Sequence, residues 1–294
     1  MRVSILLAVF CCALRADDRT QQLVASLSRE ADAFRKLAPS VVGQETLFQR
    51  AVKPPKGGFR IRVGANAQKA SAPVWQERRI LSEYGFAAFA GEGGAIHELR
   101  RVTAVDGRTM QDPKKAQQEL AAIVSAADDK RKKELLEQFE KYGLVGAATD
   151  FGQLLLLFTS GEVLHYEFTY RRVENQGTAH LLVFGYQQID GREGLTVIDA
   201  QRNAKAAERT ERIGGEVWVR ETNFIPVRIT LVTNQESVRQ EASVDYATSS
   251  FGALLPFWTE HRERRGGQVV VENQFSYADF RKFDASSEIK FQSK

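Results

Sequence analysis

From residue 162 onward the chain alternates with a period of two, and this constrains its fold more than any other feature. In "EVLHYEFTY", Leu164, Tyr166, Phe168 and Tyr170 fall on one side of an extended chain and His165, Glu167 and Thr169 on the other. "SVRQEASVDY" sets Val238, Ala242, Val244 and Tyr246 against Arg239, Glu241, Ser243 and Asp245, and "PVRITLVT" sets Val227, Ile229 and Leu231 against Arg228 and Thr230. Side chains alternate sides along a strand, so each segment has one apolar and one wetted face. Successive strands of this kind, with no helices between them, define an antiparallel sheet rather than a parallel α/β one. Segments 179–188 and 268–283 complete it, with "GREG" (191–194) and "RGG" (265–267) as turns. "LLVFGY" (181–186) is apolar on both sides, which predicts cover on both faces there. A sheet this long twists and tends to curl around whatever fills its concave side.

Helical patterns precede this block. After position 16, "DDRTQQLVASLSREADAFRKL" places Leu23, Leu27, Phe34 and Leu37 at helical spacing, and Pro39 ends the run. Residues 53–73 are rich in Pro, Gly, Lys and Ala and read as a loop whose role, tether, lid or slack, stays open. "WQERRILSEY" (75–84) and "IHELRRVTAVDG" (96–107) read as strands. "GEGG" (91–94) is a turn between them, without the strand-then-helix setting of a phosphate cradle. Asp106-Gly107 is a hairpin signal. A helical insert follows at about 113–142: Asp112 as N-cap, Pro113 in the first turn, and a stripe of Ala116, Leu120, Ile123 and Val124. Asp128 or Asp129 restarts a second helix carrying Leu135, Leu136, Phe139 and Tyr142, closed by Gly143. "TDFGQLLLLF" (149–158) fits a short buried helix or a central strand.

The opening "MRVSILLAVFCCALRA" has the layout of a secretory signal: Arg2, an apolar run from Val3 to Ala13, and a small residue for cleavage near Ala16. About eleven apolar residues fall short of the roughly 20 needed to cross a bilayer. Acylation at Cys11 or Cys12 is disfavoured because Phe10 or Cys11 precedes it where Gly or Ala is wanted. Both cysteines lie in this segment, so residues 17–294 are expected to fold as one domain without disulfides or thiolate chemistry, and with no transmembrane segment. Without Arg2 and Arg15 the 41 basic residues become 39 against 37 acidic, a balance that leaves no nucleic-acid footprint. "RKK" (131–133) lies beside Asp128, Asp129 and Glu134 and reads as a solvated helix face.

No reaction is written in the sequence. None of His97, His165, His180 and His261 has the i, i+4 partner of a zinc helix, and no G-x-S-x-G is present. His165 and His261 are expected on solvated strand faces. Glu260 and Glu263, mixed with Arg262, Arg264 and Arg265, read as a charged outer face; only separation in space decides whether carboxylates form a glycosidase-type pair. No metal or cofactor is expected.

Two stretches carry a resemblance. "GEVWVRETNFIPVRITL" (215–231) is a strand with an aromatic, a short polar turn and a proline-led strand. "LLPFWTEHRERRGGQVVVENQFSYADFRKF" (254–283) is a Leu-Pro strand, a basic strand and an aromatic one. With the order of signal, helix, strands, helical element and long meander, they are similar to the outer-membrane lipoprotein carrier superfamily (LolA/LolB-like). The likeness covers roughly 75–283 in pattern and these two stretches in residues. The insert at 113–142 is longer than in such carriers, and no position matches a carrier's ligand-contacting arginine. The resemblance implies an α+β fold in which a long curved antiparallel sheet forms a half-open barrel, with helices covering the concave side. It implies that Tyr166, Phe168, Phe184, Trp218, Val244, Tyr246, Phe257, Trp258, Phe275 and Tyr277 line a cavity. Trp218 is then on its wall or its rim, or else is ordinary core packing, where an aromatic buries about 150–250 Å².

The expectation is a periplasmic or secreted, non-enzymatic protein that binds a lipid, an acyl chain of a lipoprotein or another apolar ligand. The alternative is an envelope interaction or structural module with a filled core and a protein partner; a third reading is an enzyme whose residues converge only in three dimensions. An open apolar hollow behind 164–170, 182–186, 242–246 and 273–277 favours the first. A hollow filled by the leucines of 154–157 favours the second.

Overall fold

A computed structural model describes residues 3–53, 73–144, 150–189, 195–197, 209–233 and 238–283. The turn expected at 191–194 and nearly all of the loop expected at 53–73 lie outside these residues. The chain starts with α1 (Val3–Leu37) and a 3-10 turn (Ala38–Ser40). Four strands follow: β1 (Val41–Val52), β2 (Trp75–Phe89), β3 (Ala95–Val105) and β4 (Arg108–Thr109). Next come α2 (Pro113–Ser125), α3 (Asp129–Glu140) and two 3-10 helices, Leu154–Phe158 and Val163–His165. The rest is strand: β5 (Tyr166–Gln176), β6 (Ala179–Gln188), β7 (Leu195–Val197), β8 (Arg209–Glu211), β9 (Ile213–Arg220), β10 (Pro226–Thr233), β11 (Val238–Thr248), β12 (Leu254–Arg265) and β13 (Gln268–Lys282).

Eleven strands form one open sheet in the order β4-β3-β2-β1-β13-β12-β11-β10-β9-β6-β5, while β7 and β8 pair separately. Every neighbouring pair in the large sheet is antiparallel. Turn chemistry fixes two of the hairpins. Asp106 and Gly107 both have positive φ, 49° and 80°, as a two-residue hairpin turn of the favoured twist requires. Gly266 and Gly267, at 54° and 80°, do the same between β12 and β13.

Eleven strands about 4.8 Å apart would make a flat sheet roughly 50 Å across. Yet Phe86 and Val102 near one edge and Tyr166 and Phe184 near the other belong to one apolar cluster, together with Leu23, Leu27, Ala31 and Phe34 of α1. The sheet therefore curls around α1, and the face carrying these residues is its inner face. Phe151, Leu154, Leu155 and Phe158 join the same cluster, so the segment 150–158 is a strap laid along the inner face beside the helix.

The second helix packs elsewhere. Leu120, Ala121 and Val124 of α2 meet Ala87, Phe89 and Leu99, which alternate with the inward residues of β2 and β3 and so lie on the outer face. At one edge β4 pairs only with Ala104 and Val105 of β3, and α3 rounds the remainder, with Leu135 in the outer cluster and Phe139 in the inner one. The helices thus cover both faces at this end, where the sequence led to one side only. The caps are those expected: the Asp112 carboxylate accepts from Lys115 N at 2.9 Å, and the Asp128 carboxylate from Lys130 N at 2.8 Å. The leucine run 154–157 is neither α-helix nor strand but 3-10 helix. Among the described residues no helix is long and apolar enough to cross a membrane.

If α1 holds the sheet in its curl, Leu27→Ala should lower the unfolding free energy by about 2–5 kcal/mol, the cost of truncating a fully buried leucine. Exposed Gln22→Ala should stay within about 0.5 kcal/mol. Urea titration followed by tryptophan fluorescence measures both.

Candidate functional site

The inner face is apolar in its middle and polar at two places. Across the register, Leu47, Phe275, Thr259 and Val244 form one inward row, and Gln49, Asn273, His261 and Ala242 the next. Glu45 lies opposite Tyr277 at the end of β1, and Arg100 lies opposite Tyr84 across β2 and β3.

Arg100 is fully buried and faces two carboxylates. Its Nε donates to both Glu45 oxygens at 2.9 Å, and its Nη2 donates to Glu98 Oε2 at 2.6 Å. The guanidinium carbon sits 5.0 Å from the Phe139 ring centre, 5.2 Å from Tyr84 and 5.6 Å from Phe275. One cation between two buried carboxylates leaves an excess negative charge that an apolar surrounding does not tolerate. Burial accordingly pushes Glu45 up, and pushes Glu98 up to about 8, against the pull of Arg100. At neutral pH the group is balanced when Glu98 holds a proton while Glu45 and Arg100 are charged.

The strap is tied to this group. Glu98 Oε1 accepts from Gln153 N at 3.1 Å, and Asp150 Oδ1 accepts from Glu98 N at 3.2 Å. Asp150 Oδ2 lies 3.0 Å from His97 Nδ1, and Glu92 Oε2 lies 2.9 Å from His97 Nε2. The bond to Asp150 is the main cause that raises His97 to about 9, so the ring is an imidazolium donating to both carboxylates. Further along, Tyr246 Oη accepts from Leu155 N at 2.9 Å and donates to Gly152 O at 3.1 Å. Only glycine fits at 152, because a Cβ there would meet Glu98 Oε1 and Tyr84 Oη at 2.9 Å.

The second polar group has a fixed direction. Glu263 accepts from Arg265 Nε at 2.6 Å and from Gln240 Nε2 at 3.1 Å, which leaves Gln240 Oε1 to accept from His261 Nε2 at 2.6 Å. His261 is then neutral, and its Nδ1 accepts from Asn273 Nδ2 at 3.0 Å. Burial pushes its pKa down to about 3. On β1, Gln49 Oε1 accepts from Leu144 N. Phe151 of the strap stacks on the His261 ring, with centroids 4.5 Å apart and an interplanar angle of 22°.

Seven of the ten aromatic and aliphatic residues taken from sequence face inward: Tyr166, Phe168, Phe184, Val244, Tyr246, Phe275 and Tyr277, packed in or against the inner cluster. Trp218 and Trp258 face outward. On β9 the inward positions belong to Val217 and Val219, and the register runs Val183, Trp218, Arg228, Asp245, Trp258 across the outer face. Trp218 Nε1 donates to Glu174 Oε2 at 2.9 Å, and the Arg172 and Arg228 guanidinium carbons lie 5.8 Å from its ring centre. Val183 opposite it is fully buried, and Arg171 lies over Gly185, so the outer cover expected for 181–186 is made of arginine and tryptophan side chains. Phe257 sits at a bulge between β11 and β12, is 48% exposed, and does not join the inner cluster.

His261 and Glu263 correct the reading that put them on a wetted face. Both are buried, because β12 turns Thr259, His261 and Glu263 inward and Arg262 and Arg264 outward. Glu45, Gln49, Glu98 and Arg100 went unnoticed in the sequence. The available signal was a charged or amide side chain at an inward position of an otherwise apolar alternation, as in "Ile96, Glu98, Arg100, Val102". Cavities of about 320 and 270 Å³ lie along α3 and share Arg101, Leu135 and Gln138; Arg100 and Phe139 line the smaller, and no strap residue lines either. Among the described residues no cluster of three or more His, Cys, Asp or Glu has the arrangement of a metal site.

No protein-family model matches the chain, and no curated protein matches its sequence. Three solved structures are similar to it in fold. A domain described as an outer membrane lipoprotein-sorting protein from Vibrio parahaemolyticus shares 10% identity over 89% of this chain and 93% of that one, with a TM-score of 0.38. A LolA superfamily protein from Nitrosomonas europaea shares 11% identity over 89% and 94%, at 0.36. A DUF1329 family protein from Desulfovibrio piger shares 9% identity over 90% and 92%, at 0.38.

Two outcomes follow from the buried charges. Arg100→Ala removes the cation shared by Glu45 and Glu98 and should cost about 3–5 kcal/mol, whereas Glu98→Gln, neutral like the protonated acid but with its NH2 turned towards Gln153 N or Arg100, should cost about 1–3 kcal/mol. With its folded pKa raised to about 8, Glu98 favours folding when protonated, so its contribution declines as pH rises from the unfolded value towards and past 8. His97, raised to about 9, contributes fully below its unfolded value near 6.5 and loses that contribution as pH rises through 9. Both act in the same direction: the urea midpoint should fall between pH 6 and about 9.5, and Glu98→Gln should make that fall shallower.

Proposed function

We propose that this is an exported cell-envelope protein that holds an apolar chain, a lipid or the acyl part of a lipidated partner, against the inner face of its curled sheet, in the place the strap 150–158 fills. One observation carries the reading. The strap presents four buried apolar side chains to the inner face but belongs to neither the sheet ladder nor a long helix, and side chains tether it at Glu98, His97 and Tyr246. A filler held in this way is exchangeable. Four such side chains contribute about 1.5–3 kcal/mol each, about 6–12 in all, and a chain of about twelve methylenes at roughly 0.8 kcal/mol each offers a similar amount. The exchange is near balance, so a ligand can drive it. Tyr166, Phe168, Phe184, Val244, Tyr246, Phe275 and Tyr277 then form the wall. Trp218, Trp258 and Phe257 lie on the other face and would meet a protein partner instead. The role is binding rather than catalysis, and no cofactor is called for.

Export is supported by the helix register. Cleavage after Ala16 would start α1 with Asp17 and Asp18, where negative charge favours the positive end of the helix dipole. In the uncut helix the same residues lie in its middle. A second reading has its own observation: Leu154, Leu155 and Phe158 already fill the hollow, as a closed interaction module with a permanent core would have it.

Native mass spectrometry of protein from a membrane-containing extract separates the two. The apolar-chain reading expects a mature mass beginning at Asp17 with a lipid adduct, and displacement of a bound apolar fluorescent probe by dodecanoate. Tyr246→Phe, which removes both strap bonds at that side chain, should speed probe uptake about tenfold. No adduct and no probe binding would leave the closed module standing.

A further inference from the structure

We infer that the inner face carries, beneath Phe151, a head-group site for an uncharged hydroxylated ring, formed by the His261 ring face with Gln49 and Asn273. The inference rests on the apolar-chain reading and names the head of that ligand. Its first support is a pair of complementary buried atoms. Gln49 and Asn273 are directly opposed on β1 and β13, and neither is more than 1% exposed. Each carboxamide uses one end, Gln49 Oε1 with Leu144 N and Asn273 Nδ2 with His261 Nδ1. The other ends, the donor Gln49 Nε2 and the acceptor Asn273 Oδ1, are buried without a hydrogen-bond partner. Groups of this kind nearly always have a partner in a native protein, and leaving them bare is costly. A single hydroxyl satisfies both, because it accepts from one and donates to the other.

The second support is Phe151. It lies flat on His261, the position a planar or chair-shaped ring takes on an aromatic platform, and it belongs to the exchangeable strap. When the strap lifts, the His261 platform is uncovered, in the same cross-strand row as Asn273 and Gln49. Tyr84 Oη, also buried without a partner, is turned towards the next strap residue, Gly152, and offers a further hydroxyl contact.

Charge sets the third condition. Glu263 is neutralised by Arg265, and His261 is held neutral with both nitrogens engaged in the directed chain from Asn273 to Gln240. No unbalanced charge faces the site, so a carboxylate or ammonium head would be buried unpaired, and a neutral polyhydroxyl head would not. The ligand class is an acyl or alkyl chain on a sugar-like ring.

The test uses the full mature chain and four detergents with the same dodecyl chain, each below its micelle concentration, competing against a bound apolar fluorescent probe. Dodecyl maltoside is expected to compete about tenfold more tightly than dodecanoate, dodecyltrimethylammonium or dodecyl tetraethylene glycol ether. Gln49→Leu and Asn273→Leu, made singly, should bring the maltoside to the level of the glycol ether and leave dodecanoate unchanged. On the unmodified chain, the His261 imidazole resonances should move with the maltoside and not with dodecanoate, a readout that does not depend on the variants folding. Equal competition by all four detergents, or parity of the maltoside with the glycol ether, overturns the head-group site while leaving the apolar-chain reading intact. Failure of every detergent to displace the probe sinks that reading itself.

Discussion

An open sheet of eleven strands has to bury one face, and it has no partner sheet to bury it against. That requirement organises the molecule. The right-handed twist lets the sheet curl, and the part of α1 that carries Leu23, Leu27, Ala31 and Phe34 gives it an axis to curl around. One helix is too narrow to cover the inner side chains of strands running from β3 to β5, so a second filler is needed. The chain supplies it after α3 has rounded the edge of β3, when residues 150–158 enter the hollow from the side. The position of the strap is therefore a consequence of the sheet's width.

The polar groups on the inner face make the filling specific. A buried arginine with two glutamates is a poor device for stability, since desolvation offsets much of the attraction. It is a good device for register. Arg100 joins β3 to β1 through Glu45, and Glu98 joins β3 to the strap through Gln153, so the pair of carboxylates fixes where the strap begins. Asp150 repeats the tie from the strap's side, through the Glu98 N–H and the His97 ring. The chain from Glu263 through Gln240 and His261 to Asn273 does the same for the other wall. It reads in one direction only, because a carboxylate at its end can accept and never donate.

The strand block was legible in the sequence because alternation is a local property: Ile229, Leu231, Val244 and Tyr246 all face the way their period says. The Asp106-Gly107 turn and the Asp112 and Asp128 caps were legible for the same reason. What was not legible depends on partners distant in the chain. The polar run "TEHRE" (259–263) has no apolar phase, so the inward direction of His261 and Glu263 could not be read from β12 alone; it is set by pairing with β11 and β13. The resemblance puts Trp218 on the wall or rim of the hollow, or in core packing, yet its strand gives the inward places to valines. It packs instead against arginines, which a hydropathy pattern counts as solvent-facing. The leucine run 154–157 gave no period at all, and its 3-10 form follows from packing between α1 and the sheet.

The contrast between the two fillers bears on function. Releasing α1 would break a long helix and uncover Leu23, Leu27, Ala31 and Phe34 together, which approaches global unfolding. Releasing the strap breaks about five hydrogen bonds to side chains, each with a net worth near 1 kcal/mol, and exposes a smaller apolar surface that a ligand can cover again. Under the proposed reading, two fillers with such different attachment make α1 the fixed wall and the strap the one a ligand replaces. The strap lays Phe151 over His261 and Gly152 beside Tyr84, whose hydroxyl is buried without a partner. Under the proposed reading, polar atoms that cost stability when covered by a strap become the contacts that distinguish one ligand from another.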